Sequence, residues 1–276
     1  MNLKVVCTVL CATVGASHIA NATPRKLPFS YPYETLPEGE LELELYTDVN
    51  PLRVPANSAD PVAGEMWSPA VRLQNEIEYG LTDRVELGFY QVFQSSPKAG
   101  GGSAFQFDGL IWRVRTRLAE SGEWPVDVGL YFELETMHDE LALEGKVILQ
   151  RRIDRLCWMA NLWVEEEFER PFDGKAQGRS AHFIINPTTG IAWEATQTFH
   201  PGIEYFARGQ IDPSGDTPEA RERSRVHHFA GPTLHFNWGR LSWSAGLYAH
   251  LNDTGVPHVG AAYGPFWFRN LIALAL

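Results

Sequence analysis

The sequence is poor in cysteine, with only Cys7, Cys11 and Cys157 among 276 residues. Two of the three lie in a leader-like N-terminus, so a mature chain would keep Cys157 alone. No internal disulfide can then form, although the predicted compartment outside the cytoplasm is oxidising. Stability therefore has to come from backbone hydrogen bonds and from burial of side chains.

Long apolar runs are also scarce. The first 22 residues carry one early charge, Lys4, then an apolar stretch from Val5 to about Ala16, and end in the small-x-small pattern Ala20-Asn21-Ala22. That stretch is too short to span a bilayer, so it predicts a signal peptide cleaved after Ala22 and not an anchor. No later stretch could form a membrane helix.

Positive charge is in deficit as well. Lys and Arg total 23 against 34 Asp and Glu, which gives a net charge of −11. A chain this acidic is not expected to bind nucleic acid, because the phosphate backbone attracts basic proteins.

What the sequence has in abundance is alternation with a period of two. In the segment 126–135, Val128, Leu130 and Phe132 fall on one face of a strand, and Asp127, Glu133 and Glu135 fall on the other. The pattern recurs in some twelve segments with no helical segment between them. It predicts an all-β fold: a closed antiparallel transmembrane β-barrel of about 12 strands, apolar outside and polar inside.

The connections between the predicted strands differ in length in alternation. Tight turns such as Thr82-Asp83-Arg84 and Ile153-Asp154-Arg155 alternate with long polar segments, among them Val49 to Pro69 and Glu169 to Ala181; Met137 to Glu140 is a short exception. Short turns on one rim and long loops on the other are typical of outer-membrane barrels. We therefore expect a signal peptide at 1–22, a periplasmic N-terminal segment at 23–40 and a barrel at 41–276, located in the outer membrane.

Two stretches carry a resemblance. Tyr79-Gly80-Leu81-Thr82-Asp83-Arg84-Val85-Glu86-Leu87 and the stretch from Gly231-Pro232 to Gly246 resemble segments of the outer-membrane proteins of the meta-pathway phenol-degradation type, a superfamily of transporters. The resemblance implies a barrel with a transport role, and it does not imply phenol as the substrate. The C-terminal strand from about Ala262 to Leu276 is similar to the strand that the barrel assembly machinery recognises, although it ends in Leu276 and not in the usual aromatic residue.

Charged side chains dominate the predicted lumen. The residues expected to line it are Arg113, Arg115, Arg117, Asp127, Glu133, Glu135, Glu86, Glu144 and Lys146. Opposing charges in a barrel favour a narrow channel or small-solute transporter. The alternative is a structural or interaction barrel whose lumen is closed by salt bridges, with the three arginines paired to Asp127, Glu133 and Glu135.

Catalytic and metal sites are not expected. His250-Leu251-Asn252 lacks the serine of an outer-membrane phospholipase element, and paired glutamates on a strand are simply consecutive inward positions. His227 and His235 share a face but lie eight residues apart, so only together with His250 could they form a site. We expect no enzyme activity and no cofactor; the expected partners are outer-membrane lipid, the assembly machinery and a small solute.

Overall fold

The computed structural model describes residues 25–57, 64–101, 105–138, 140–169, 181–211, 225–252, 259 and 261–276. Twelve strands form one closed barrel in which each strand pairs with its neighbours in sequence, which confirms the predicted fold class. The strands are β1 Leu41–Pro55, β2 Glu65–Thr82, β3 Val85–Ser95, β4 Gln106–Arg117, β5 Asp127–Met137, β6 Glu140–Ile153, β7 Leu156–Glu169, β8 Ala181–Trp193, β9 Phe199–Ile211, β10 His227–Asn237, β11 Leu241–His250 and β12 Phe266–Ala275. In the described part of the chain, no helix has the length and hydropathy needed to cross a bilayer.

The barrel closes between its first and last strands. β1 and β12 pair antiparallel from Glu42 opposite Ala275 to Val49 opposite Phe268. Closure matters because an open sheet in hydrocarbon would leave edge N–H and C=O groups without partners, at a cost of several kcal/mol each. The predicted pairing of the first strand with the last is confirmed.

The alternation of side chains follows the sequence pattern. On β5, Leu130 and Phe132 are 42% and 55% exposed on the outer face, whereas Glu133 is 5% exposed and faces inward. The outer face is thus an apolar band and the inner face is polar, as in a barrel that shows lipid every second residue.

The two rims differ as predicted. The turns β2–β3, β6–β7 and β10–β11 contain two or three residues, whereas β3–β4 and β9–β10 are joined by longer segments, and β5–β6 is the short exception. We call the two ends of the barrel the short-turn rim and the long-loop rim. Near the short-turn rim, the outward rings of Phe199, Phe236 and Trp238 stack, with centroids 4.7 and 5.5 Å apart, which fits an interfacial aromatic girdle.

The register of the β2–β3 hairpin is the predicted one, with Ile77 opposite Phe89 and Tyr79 opposite Leu87. The three-residue loop is instead a two-residue turn at Asp83-Arg84 combined with a bulge between Gly80 and Thr82, which keeps the faces matched. The segment 49–69 was expected to be a loop over its whole length. That expectation was wrong, because β1 continues to Pro55 and β2 begins at Glu65.

Candidate functional site in the barrel lumen

The lumen contains a piece of the chain itself. Residues 25–36, which we call the inner segment, lie inside the barrel: Arg25 to Tyr33 are all buried, and so is Leu36. The sequence analysis placed residues 23–40 in the periplasm ahead of the barrel; over its described residues, most of that segment instead occupies the lumen. β1 then begins at Leu41.

The backbone of the inner segment forms hydrogen bonds with lumen side chains and not with a strand. Glu204 on β9 accepts from the N–H groups of Phe29, at 3.2 Å, and Ser30, at 2.6 Å. Asn161 on β7 binds Tyr31 twice, accepting from its N–H at 2.6 Å and donating to its carbonyl at 3.1 Å. These contacts satisfy backbone groups that burial would otherwise leave unpaired.

Prolines ease the same requirement. Pro28 and Pro32 flank the segment's central aromatic residues and have no N–H to satisfy. Burying a short, proline-rich stretch therefore costs less free energy than burying a segment of the same length with all its N–H donors.

Aromatic rings fix the innermost part of the segment. The Phe29 ring lies 4.0 Å from that of Phe206, 5.1 Å from Tyr248 and 5.7 Å from Trp267, centroid to centroid. The guanidinium carbon of Arg269 lies 3.9 Å from the centre of the Phe29 ring. This aromatic cluster closes the middle of the lumen on the β9–β12 side.

The C-terminal end of the inner segment lies at the short-turn rim. The Leu36 N–H donates to Glu86 at 2.8 Å, and the Thr35 hydroxyl donates to the carbonyl of Asp83 in the β2–β3 turn at 2.9 Å. The Tyr33 hydroxyl donates to the Ala119 carbonyl in the β4–β5 turn. Burial raises the pKa of this phenol above its ordinary value, so it stays a donor at neutral pH.

A buried arginine–glutamate network fills the adjacent part of the lumen. Arg113 Nη2 lies 3.0 Å from Glu76, 2.7 Å from Glu78 and 2.5 Å from Glu86, and Arg115 Nη2 lies 2.8 Å from Glu86. Each of these side chains is at most 2% exposed. The network joins β2, β3 and β4, and its two guanidiniums pair with three carboxylates. Buried charge is tolerated when it is paired in this way.

The partners of these arginines differ from Asp127, Glu133 and Glu135, the set expected for a salt-bridged lumen. Arg113 faces Glu133 across the β4–β5 backbone register, yet its guanidinium turns to the carboxylates of β2 and β3. Arg117 lies at the short-turn rim and pairs with Glu120 at 3.0 Å. Asp127 accepts from Ser121 and from the Gly122 N–H at 2.7 Å, so it holds the β4–β5 turn and pairs with none of the three arginines.

A second charged group lies beside this network, on β5 and β6. Lys146 Nζ pairs with Glu144 and lies 3.9 Å from Glu133. The same ammonium lies 3.9 Å from the Tyr131 ring centre and 4.5 Å from the Tyr31 ring centre. Glu135 receives a longer contact, 3.8 Å, from Arg72 of β2.

Two groups of carboxylates have the proximity that a cation requires. Oxygens within 4.8 Å of one another are supplied by Glu42, Glu44 and Glu78 in one group and by Glu133, Glu135 and Glu144 in the other. In both groups a basic side chain is already in contact, Arg25 with Glu44 and Lys146 with Glu144. Protein cations therefore already supply neutralising charge at both places.

The histidines pair differently from the set considered in the sequence. His227 Nδ1 lies 3.1 Å from His250 Nε2 near the long-loop rim, whereas His235 stacks on His200, with centroids 5.2 Å apart, on the other half of the lumen. A joint site of His227, His235 and His250 is thus not assembled.

An open cavity remains on the long-loop side of the inner segment. It has a volume of about 110 Å³. Its lining includes the Phe29 and Tyr31 rings, acidic side chains from β5 to β7, and the arginines Arg72, Arg208 and Arg269. We call this space the outer cavity.

The sequence reasoning missed the inner segment and most of the residues that hold it. Glu204, Asn161 and Tyr248 were not singled out, because each looked like one more inward position on a weak or ordinary strand. A signal was present in the aromatic alternation Phe29, Tyr31, Tyr33, which is too long and too apolar for a solvated linker.

No protein-family model matches the chain, and no curated protein matches it. Solved structures do. An outer membrane channel of Pseudomonas putida F1, COG4313, superposes with a TM-score of 0.58 at 13% identity, covering 88% of this chain and 98% of the other. The NanC porin superposes with a TM-score of 0.54 at 9% identity, covering 85% of this chain and 100% of the other.

At these identities the likeness establishes the fold and leaves the activity open. The pairing of twelve strands, the apolar outer band and the two unequal rims agree with it independently. The chain has the fold of outer-membrane channel and porin barrels.

Proposed function

We propose that the protein is a narrow outer-membrane channel for small polar solutes, closed in this structure by its inner segment. The observation that carries the proposal is the way that segment is held. Among the residues that the structure describes, the N–H groups of the segment donate to the side chains of Glu204, Asn161, Gln150 and Glu86, and none belongs to the strand ladder. Displacing the segment therefore breaks no hydrogen bond between strands, and the wall can stay intact while the lumen opens.

The apolar band of the outer face supports a location in the outer membrane, and the C-terminal strand supports assembly by the barrel assembly machinery. The channel named in one structural neighbour and the porin named in another favour transport as the role of this fold. Membership of the meta-pathway phenol-degradation type superfamily is part of the same proposal.

A structural or interaction barrel is the second candidate, and one observation favours it. The Arg113–Glu76–Glu78–Glu86 network is buried and links β2, β3 and β4 on one side of the lumen. The two functions differ in one measurable property, the passage of ions when the inner segment is released.

The native cysteine offers a direct test. Leu27 of the inner segment packs against Cys157, Met159 and Ala192 of the lumen wall. A Leu27→Cys variant therefore places a second thiol beside the Cys157 thiol. Oxidation should join them, tying the segment to the wall, and reduction should release it.

The measurement is current through single proteins in a planar bilayer. We expect openings in the reduced variant and in the wild type, and none in the oxidised variant. Leu27→Cys combined with Cys157→Ser is the matched control and should conduct under both conditions. Equal conductance of the oxidised and reduced forms would contradict closure by the inner segment, and silence of the wild type and all variants would favour the structural barrel.

A further inference from the structure

Arg208 on β9 stands at the junction of the open spaces in the lumen. Its side chain lines the outer cavity, of about 110 Å³, and also two neighbouring spaces of about 220 and 180 Å³ toward the long-loop rim. Arg208 therefore lies beside the described spaces through which a solute from that rim could reach the inner segment.

The guanidinium of Arg208 is available to a ligand. Within the described residues, no carboxylate forms an ion pair with it, whereas Arg269, which lines the same cavity, is held by Asp48 through two contacts of 2.7 Å. The Arg208 guanidinium carbon instead lies 5.8 Å from the Trp163 ring centre and 5.7 Å from the Trp267 ring centre. A guanidinium in this setting presents a planar fork suited to a carboxylate.

The opposite charge faces the same cavity. Glu165 on β7 is buried, lines the outer cavity together with Arg208, and within the described residues forms no ion pair either. Glu133 and Glu135 of β5 add to this acidic wall. Glu165 and Glu167 attract the Arg208 guanidinium across this cavity. In the part of the chain that the structure describes, neither is in ion-pair contact with it, which leaves room for a molecule that carries both charges.

We propose that the outer cavity binds a small zwitterion of the amino-acid class, with its carboxylate on Arg208 and its ammonium toward Glu165. The Phe29 and Trp163 rings would cover its short apolar part. A cavity of 110 Å³ is smaller than the ~150 Å³ cavity that holds benzene, a molecule of six non-hydrogen atoms, so its ligand has at most about six. The proposal rests on the proposed function, since it names the solute that this lumen would select.

The test compares L-alanine with two molecules that each lack one of its charged groups, propionate and ethylamine. Binding to the purified full chain in detergent micelles is measured by saturation-transfer NMR, which does not depend on conduction. We expect L-alanine to bind roughly tenfold more tightly than either analogue, because each lost charge-assisted hydrogen bond removes about that much. Equal binding of L-alanine and propionate, or of L-alanine and ethylamine, would overturn the proposal.

Two substitutions assign the contacts. Arg208→Gln should weaken the binding of L-alanine and of propionate and leave the binding of ethylamine unchanged. Glu165→Gln should weaken the binding of L-alanine and of ethylamine and leave the binding of propionate unchanged. Arg152→Gln, at an exposed rim pair with Glu194, is the matched control and should change nothing. If Arg208→Gln does not fold, Arg208→Lys is the second variant, since it keeps the positive charge but loses the planar fork of the guanidinium. It should still bind L-alanine more weakly than the wild type. An unchanged affinity in the folded variant would overturn the proposal.

The site and the channel can fail separately. A protein that binds L-alanine as described but never conducts would keep the site and remove the proposed channel. A protein that conducts but binds the three molecules equally would keep the channel and remove the site.

Discussion

The Arg113 guanidinium occupies the space over Gly88 that the side chain of any other residue at this position would fill. A Cβ on Gly88 would lie 2.4 Å from Arg113 Nε and 2.7 Å from Glu76 Oε1. The absence of a side chain on β3 is thus what lets an arginine of β4 reach the carboxylates of β2.

Gly88→Ala should therefore destabilise the barrel by about 1–3 kcal/mol, because the added methyl group displaces the buried network. Gly145→Ala is the matched control, since nothing lies within 4 Å of a Cβ built there. We expect it to be neutral or to stabilise by ~0.4–1 kcal/mol. Urea unfolding of the two variants in lipid vesicles measures the difference, and equal stabilities would show that the network yields to the methyl group.

Arg113→Met tests the network itself. Removing the cation leaves Glu76, Glu78 and Glu86 buried with one basic partner fewer, and loss of one member of a buried ion pair costs about 3–5 kcal/mol. Arg84→Met breaks the exposed pair with Glu120 at the rim and should cost less than about 1 kcal/mol. Comparable losses in the two variants would show that burial does not govern the strength of these pairs.

Glu204→Gln tests the hold on the inner segment. The amide keeps the shape of the carboxylate but removes the charge that strengthens its bonds to Phe29, Ser30 and the Tyr248 hydroxyl. We expect the closed state to lose about 1–2 kcal/mol, which raises the open population by a factor of roughly 5–30. Single-channel open probability measures this, and Glu166→Gln, on the outward face of β7, two strands away from Glu204, should leave it unchanged.

Leu130→Arg tests the lipid-facing surface. Near the bilayer midplane, an outward arginine on a barrel strand costs about 2–4 kcal/mol, and near the interface about 0–1 kcal/mol. Leu156 begins β7 at the short-turn rim, so Leu156→Arg should cost little. The free energies of unfolding of the two variants in lipid bilayers test this. If Leu156→Arg lowers the free energy of unfolding strongly and Leu130→Arg does not, the hydrocarbon core does not lie at the height of Leu130.

Much of the wall could be predicted because its physics is local. Leu130 and Phe132 alternate with Tyr131 and Glu133, and that pattern alone assigns each side chain to lipid or lumen. The β2–β3 register followed from the need to keep Ile77 and Phe89 on the same face.

The lumen could not be predicted to the same depth. Whether Arg113 turns to Glu133 beside it or to Glu78 two strands away depends on the free space over Gly88. The alternation of apolar and polar residues in the sequence carries no information about that space. The strand length after Val49 was underestimated because Pro51 and Pro55 interrupt the apolar rhythm, although proline is compatible with this part of β1.

The place of the inner segment also bears on the order of events during assembly. The bonds from Phe29 and Ser30 to Glu204 join residues 175 and 174 positions apart, so their acceptor belongs to a strand near the end of the chain. Contacts so distant in sequence form late, since the intervening chain has to be ordered first. Until β9 and β11 are in place, the growing sheet lacks the side chains that hold Phe29 and Ser30 in the middle of the lumen. The immature barrel should therefore pass through a hydrated stage and dry its interior in the last steps of folding.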